Sequence, residues 1–70
     1  MYRVSVTSSD IRSVGYDQLS GVLEMEFNFG DIYHYFNVPS HLHQALMMAS
    51  SKGRFFNENI KYNYRYQKVS

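Results

Sequence analysis

The side chains of this 70-residue chain that could do chemistry are three histidines, six carboxylates and a set of tyrosines. His41 and His43 stand two apart in a segment that reads as the start of a helix, so their rings point in different directions. His34 sits in an extended run and could meet one of them. The spacing matches no zinc pattern, and the chain has no cysteine. The expectation is a half-buried His34, solvated His41 and His43, no metal and no cofactor. Glu24 and Glu26 alternate along one strand face. Two carboxylates so placed could share a proton across a cleft, but solvated strand charges look the same. Asp10, Asp17 and Asp31 fall in or beside turns. No serine sits in a nucleophile elbow, and neither Gly15 nor Gly21 belongs to a phosphate-cradling motif. Catalysis is not expected.

The tyrosines and cations offer more. Residues 1–51 carry a charge balance of −3, whereas residues 52–70 carry +4. Lys52, Arg54, Lys61, Arg65 and Lys68 are thus gathered at one end of the chain, against Glu58 alone. Tyr33, Tyr35, Tyr62 and Tyr64 could present rings beside them. Bases stack on such rings while lysine and arginine neutralise phosphates, so this surface could bind RNA or other single-stranded nucleic acid. The net charge of +1 is small for such a role. Tyr33 and Tyr35 could equally be core residues with their hydroxyls at the rim. The rival is a protein-interaction or self-association module that uses an edge strand, or Met47, Met48 and Tyr66.

These side chains need elements to position them. Met1–Ser9 alternates weakly and reads as a short edge strand or a disordered lead-in. Ile11–Tyr16 is a strand with Val14 and Tyr16 on one face. Asp17–Gly21 is a turn. Val22–Phe27 is the clearest strand, with Leu23, Met25 and Phe27 on one face and Val22, Glu24 and Glu26 on the other. A second turn at Asn28–Asp31 leads into Ile32–Phe36. Period two there sets Ile32, His34 and Phe36 against Tyr33 and Tyr35. Pro39 opens a helix that runs to about Ala49, with Asn37 or Ser40 as its cap and Leu42, Ala45, Leu46 and Ala49 as its apolar stripe. Arg54–Ile60 reads as a short second helix. The tail Lys61–Ser70 reads as extended, with Tyr62, Tyr64 and Tyr66 on one face. The fold class is α+β: a small antiparallel β-meander of three or four strands against one main helix and a short second one.

The length allows one domain and leaves little room for a closed catalytic pocket. No apolar run is long enough to span a membrane, and the N-terminus lacks the pattern of a signal peptide. With no cysteine, the expected compartment is reducing and cytoplasmic.

Several stretches occur in an order that resembles one known family. They are Ser13–Val14–Gly15–Tyr16, Leu23–Glu24–Met25–Glu26–Phe27, and Tyr33–His34–Tyr35 followed by Phe36 and Val38–Pro39. Later come the run from Ser51 through Arg54 and Phe56 to Ile60, and then Tyr62–Asn63–Tyr64. Together they resemble the KTSC domain, found at the C-terminus of some lysyl-tRNA synthetases and as stand-alone small bacterial proteins. The likeness covers roughly Ser9 to Lys68, and the tyrosine-rich tail from Tyr64 to Lys68 departs from the family pattern. The resemblance implies a domain whose function is generally described as unknown, with RNA binding suggested by the synthetase association. It implies no catalytic residue.

Overall fold

The computed structural model describes residues 1–70. Five strands and two helices follow in the order β1 (Arg3–Ser5), β2 (Ile11–Asp17), β3 (Val22–Phe27), β4 (Ile32–Tyr35), α1 (Ser40–Met48), α2 (Lys52–Asn59) and β5 (Tyr66–Lys68). The strands form one antiparallel sheet in chain order, β1-β2-β3-β4-β5. Both helices belong to the connection between β4 and β5, and they cover one sheet face. The expected α+β meander is present, with five strands rather than three or four. The Met1–Ser9 segment contributes β1 as an edge.

Local chemistry explains the turns. Asp17 closes the β2–β3 turn by accepting from Leu19 N at 3.2 Å, Ser20 Oγ at 2.8 Å and, through its carbonyl, Gly21 N at 2.8 Å. Gly21 sits at φ 72°, which a glycine adopts without steric cost. The β3–β4 turn needs the same freedom at Gly30, with φ 96°.

Leu23, Met25 and Tyr35 line the covered face of the sheet and are buried, joined by Ile11 and Val14 from β2. Simple alternation from Val14 and Tyr16 would send Ile11 to the opposite face. A bulge restores it. Ile11 pairs with Phe27 while Ser13 pairs with Glu26, so Arg12 is the extra residue. From the helical layer, Val38, Leu46, Phe56 and Ile60 complete the core.

Two helix boundaries differ from the sequence expectation. Neither Asn37 nor Ser40 caps α1. Pro39 holds the cap position without a side-chain bond, and Ser40 is already helical. Asn37 takes a left-handed conformation at φ 59°, which asparagine tolerates better than most residues. The junction is instead fastened from outside: Val38 N donates to Gly21 O at 2.9 Å, and the Tyr16 hydroxyl donates to Val38 O. Helix α2 starts at Lys52 rather than Arg54, because Ser51 caps it by accepting from Arg54 N at 3.4 Å. The tail also differs. Residues 60–63 form a turn, closed by Asn63 N donating to Ile60 O at 3.1 Å. Tyr62, Tyr64 and Tyr66 therefore do not share a strand face.

Candidate functional site

The register of β4 decides where its tyrosines go. Tyr33 lies opposite Met25 and Tyr35 opposite Leu23, so both rings share the face that the helices cover. Tyr35 is core, only 4% exposed. Tyr33 is half-buried and packs against that core. On the other side β5 pairs Tyr66 with Tyr35 and Lys68 with Tyr33. Ring centroids are 5.6 Å apart for Tyr35 and Tyr66 and 5.9 Å apart for Tyr33 and Tyr66. Phe56 of α2 meets Tyr35 edge-on at 5.2 Å, and Phe27 meets both Tyr33 at 5.8 Å and Phe56 at 5.5 Å. Edge-to-face pairs of this kind fix ring positions beyond simple burial.

The helices do not cover this whole face. Between α2 and the β4–β5 edge lies an open groove of about 430 Å³. Its seven apolar lining residues are all aromatic, with Phe29 and Tyr62 joining the rings already named. Phe29 is 93% exposed and Tyr62 81%. The polar lining is Asn57 and Lys61 from the α2 side, with Asp10 and Asp31 from the loops before β2 and β4. Burial, helped by the neighbouring Tyr33 and Tyr66 phenols, pushes Tyr35 up to about 12. Its hydroxyl stays neutral at ordinary pH.

Of the residues singled out from the sequence for nucleic-acid binding, the groove gathers Tyr33, Tyr35, Lys61 and Tyr62. The others are dispersed. Lys52 donates to Ala49 O at 3.0 Å and ties α1 to α2. Arg54 pairs with Glu58 at 3.1 Å along the outer side of α2. Lys68 stands at the rim, 3.5 Å from Asp31. Arg65 lies over the Phe36 ring at 5.4 Å, and Tyr64 packs on the core. Met47 packs on the core while Met48 is exposed, and neither lines the groove. Phe27, Phe29, Phe56, Asn57, Asp10 and Asp31 are groove residues that the sequence pattern alone does not single out. Phe29 carried a readable signal: a large ring between Asn28 and Gly30, where turn chemistry calls for small or polar residues.

The opposite sheet face holds a polar network rather than solvated carboxylates. Glu24 accepts from Arg3 Nη1 at 2.6 Å and from His34 Nε2 at 2.7 Å. Ser13 Oγ accepts from Arg3 Nε at 2.9 Å and donates to Glu26 at 2.7 Å. Burial alone would raise the Glu24 pKa, but the bonds from His34 and Arg3, with their charges, outweigh it and hold the carboxyl below its usual range. Each carboxylate is tied to fixed donors, so the pair works as a clasp for β1. His34 is half-buried as expected. His43 is not solvated: its ring stacks on Tyr16 at 4.6 Å and 11°, and burial lowers its pKa. No three His, Asp or Glu side chains converge as a metal site.

Residues 7–64 match the family model described as the KTSC domain. The chain belongs to the KTSC domain family. A crystal structure of a KTSC domain protein from Yersinia pestis superposes with a TM-score of 0.96 at 42% identity, covering 99% of this chain and 97% of that one. An uncharacterized protein of Stutzerimonas stutzeri is 46% identical over 70 residues, 99% of each chain. The KTSC domain also aligns with a lysine–tRNA ligase of Nostoc punctiforme, at 37% identity over 62 residues. That match takes in 89% of this chain and 11% of the ligase. Strands β1 and β5 lie outside the matched family segment, so the Tyr66 wall of the groove comes from an edge strand beyond it. No helix of this KTSC domain is long and apolar enough to cross a membrane.

Proposed function

We propose that this KTSC domain is a non-enzymatic binding module of the cytoplasm whose aromatic groove takes a side chain of a protein partner. One observation carries this. The groove is walled by rings, and its lining sets one cation, Lys61, against two carboxylates, Asp10 and Asp31, with Lys68 at the rim paired to Asp31. A surface built to follow a phosphate backbone gathers cations without such compensation. Rings at an open, electroneutral groove suit the large apolar or aromatic anchors that dominate protein interfaces. The lack of cysteine fits a reducing compartment.

A second reading has its own support. The relatives that are lysine–tRNA ligases act beside RNA, as their name states. The exposed rings of Phe29 and Tyr62 could stack bases.

The two separate in one experiment. The isotope-labelled domain is titrated with short peptides bearing one central tyrosine, leucine or arginine, and in parallel with mixed-sequence single-stranded RNA at two salt concentrations. Under the protein reading, peptides shift the amides of Tyr66, Asn57 and Tyr62, and Tyr62→Ala weakens them. If RNA instead binds in a salt-dependent way that Arg54→Ala, Lys61→Ala and Arg65→Ala together abolish, and peptides shift nothing, the protein reading is wrong.

A further inference from the structure

The groove's lining narrows the class of side chain it takes. On the proposed protein-binding reading, we infer that the partner's anchor is a cation, an arginine or lysine side chain held over the rings beside Asp10. The ring walls set the first condition. Tyr33, Tyr66, Phe29 and Tyr62 bring half-buried or exposed aromatic surface to one open space that the buried Tyr35 and Phe56 also line. Ring faces carry partial negative charge and attract a cation within about 6 Å of the centroid. The domain already contains this contact: Lys61 Nζ lies 5.3 Å from the centroid of the Tyr62 ring.

Asp10 sets the second condition. It lines the groove, and its carboxylate forms no ion pair, whereas Asp31 has Lys68 and Glu58 has Arg54. Asp10 Oδ2 lies 3.2 Å from the point where a Cβ on Gly53 would stand. The missing side chain of Gly53 thus lets the carboxylate rest against the first turn of α2, where a negative charge is favourably placed. Asp10 is held at the groove without being neutralised. A guanidinium or ammonium group entering over the rings would find that free carboxylate. An incoming phosphate would meet it as repulsion.

Lys61 is the one groove cation not paired with a carboxylate, and it is exposed. It stands where the partner's charge would go, so it competes with the ligand. This gives the cation reading a signature that the nucleic-acid reading reverses.

The test uses the full chain and three blocked pentapeptides, Gly-Ser-X-Ser-Gly, in which X is arginine, its neutral isostere citrulline, or leucine. Amide shifts of the labelled domain report affinity. The arginine peptide is expected to bind about fivefold to tenfold more tightly than the citrulline peptide, from one ring contact and one exposed ion pair together. Asp10→Asn is expected to reduce that preference to about twofold, and Lys61→Met to strengthen arginine binding about twofold to fivefold. Equal binding of the arginine and citrulline peptides at the groove overturns the cation inference and leaves the groove as a protein-binding site. No groove shift with any of the three peptides overturns both. A Lys61→Met variant that weakens arginine binding also overturns the inference. Both substitutions lie at exposed positions, and an unchanged amide spectrum checks the fold before each titration.

Discussion

Glu24→Gln is the sharpest test of the network that holds β1 to the sheet. The Glu24 side chain is 11% exposed and receives two bonds, 2.6 Å from Arg3 and 2.7 Å from His34. Each charge-assisted bond of this kind contributes about 1.5–3 kcal/mol. Glutamine keeps the volume and one acceptor oxygen, but its amide nitrogen turns a donor towards another donor. One bond is lost and the other weakened, a cost of about 2 kcal/mol after allowance for the partial exposure of Arg3 and His34. In a domain of this size each kcal/mol moves Tm by about 4–8 °C, so the expected drop is about 8–16 °C at pH 7. Thermal unfolding followed by circular dichroism measures it. The pH dependence supplies an independent check. The folded pKa of Glu24 lies below the ordinary value of 4.5, so between the two the unfolded chain binds more protons than the folded one. The contribution of Glu24 is therefore complete above that ordinary value and is lost as pH falls through the lowered one. Glu24→Gln should lose less stability than the parent across that acid window. A drop in Tm below about 2 °C at pH 7, or an unchanged acid slope, would refute the clasp. In an Arg3→Met background the cost of Glu24→Gln should shrink markedly, since one of its two donors is already gone.

Two further outcomes follow from the packing. Tyr35→Phe should leave stability at pH 7 within about 0.5 kcal/mol, because the ring carries the packing. Above pH 10 the parent should lose stability, since the unfolded chain releases the proton that folded Tyr35 keeps to about 12, and Tyr35→Phe should flatten that loss. Ultraviolet titration at the tyrosinate band, showing no late-ionising tyrosine in the parent, would count against it. Gly15→Ala would bring a Cβ to 2.9 Å from the Tyr2 carbonyl oxygen, a backbone atom with little freedom to retreat. It should cost about 1–2 kcal/mol and speed amide exchange across Arg3–Ser5, and unchanged protection there would show that β1 adapts without strain.

Much of the scaffold was legible because it depends on neighbours in sequence. The alternation of Val22–Phe27, the turn chemistry at Asp17–Gly21 and the apolar spacing of Leu42 and Leu46 are local patterns, and they appear as β3, a hairpin turn and α1. The class of fold followed from them, and the family from the ordered stretches around Tyr33–His34–Tyr35. What failed to show depends on distant partners. The bulge at Arg12 reverses the side of Ile11, and no local residue announces it. Stacking of His43 on Tyr16 joins a helix to a strand far apart in the chain. The tail cations looked collected only because they are close in sequence. A turn at residues 60–63 and alternation through Arg65 send them to different surfaces. The groove needed α2 and β5 to be set beside β4, and its Asp10 comes from the far end of the chain.

Strand order has a consequence for how this unit can be attached to other bodies. Because the sheet runs in chain order, the two ends of the chain leave from opposite edges, four strand spacings or about 19 Å apart. A partner domain tethered ahead of β1 would hang from the side away from the groove. A tether following β5 would emerge beside Ile32, next to Asp31 of the groove lining. Fusion at the leading end therefore leaves the aromatic groove open, while fusion at the trailing end puts the tether itself within reach of the site. The same groove is left open or partly screened by the chain's own leash, according to the end from which the domain is carried.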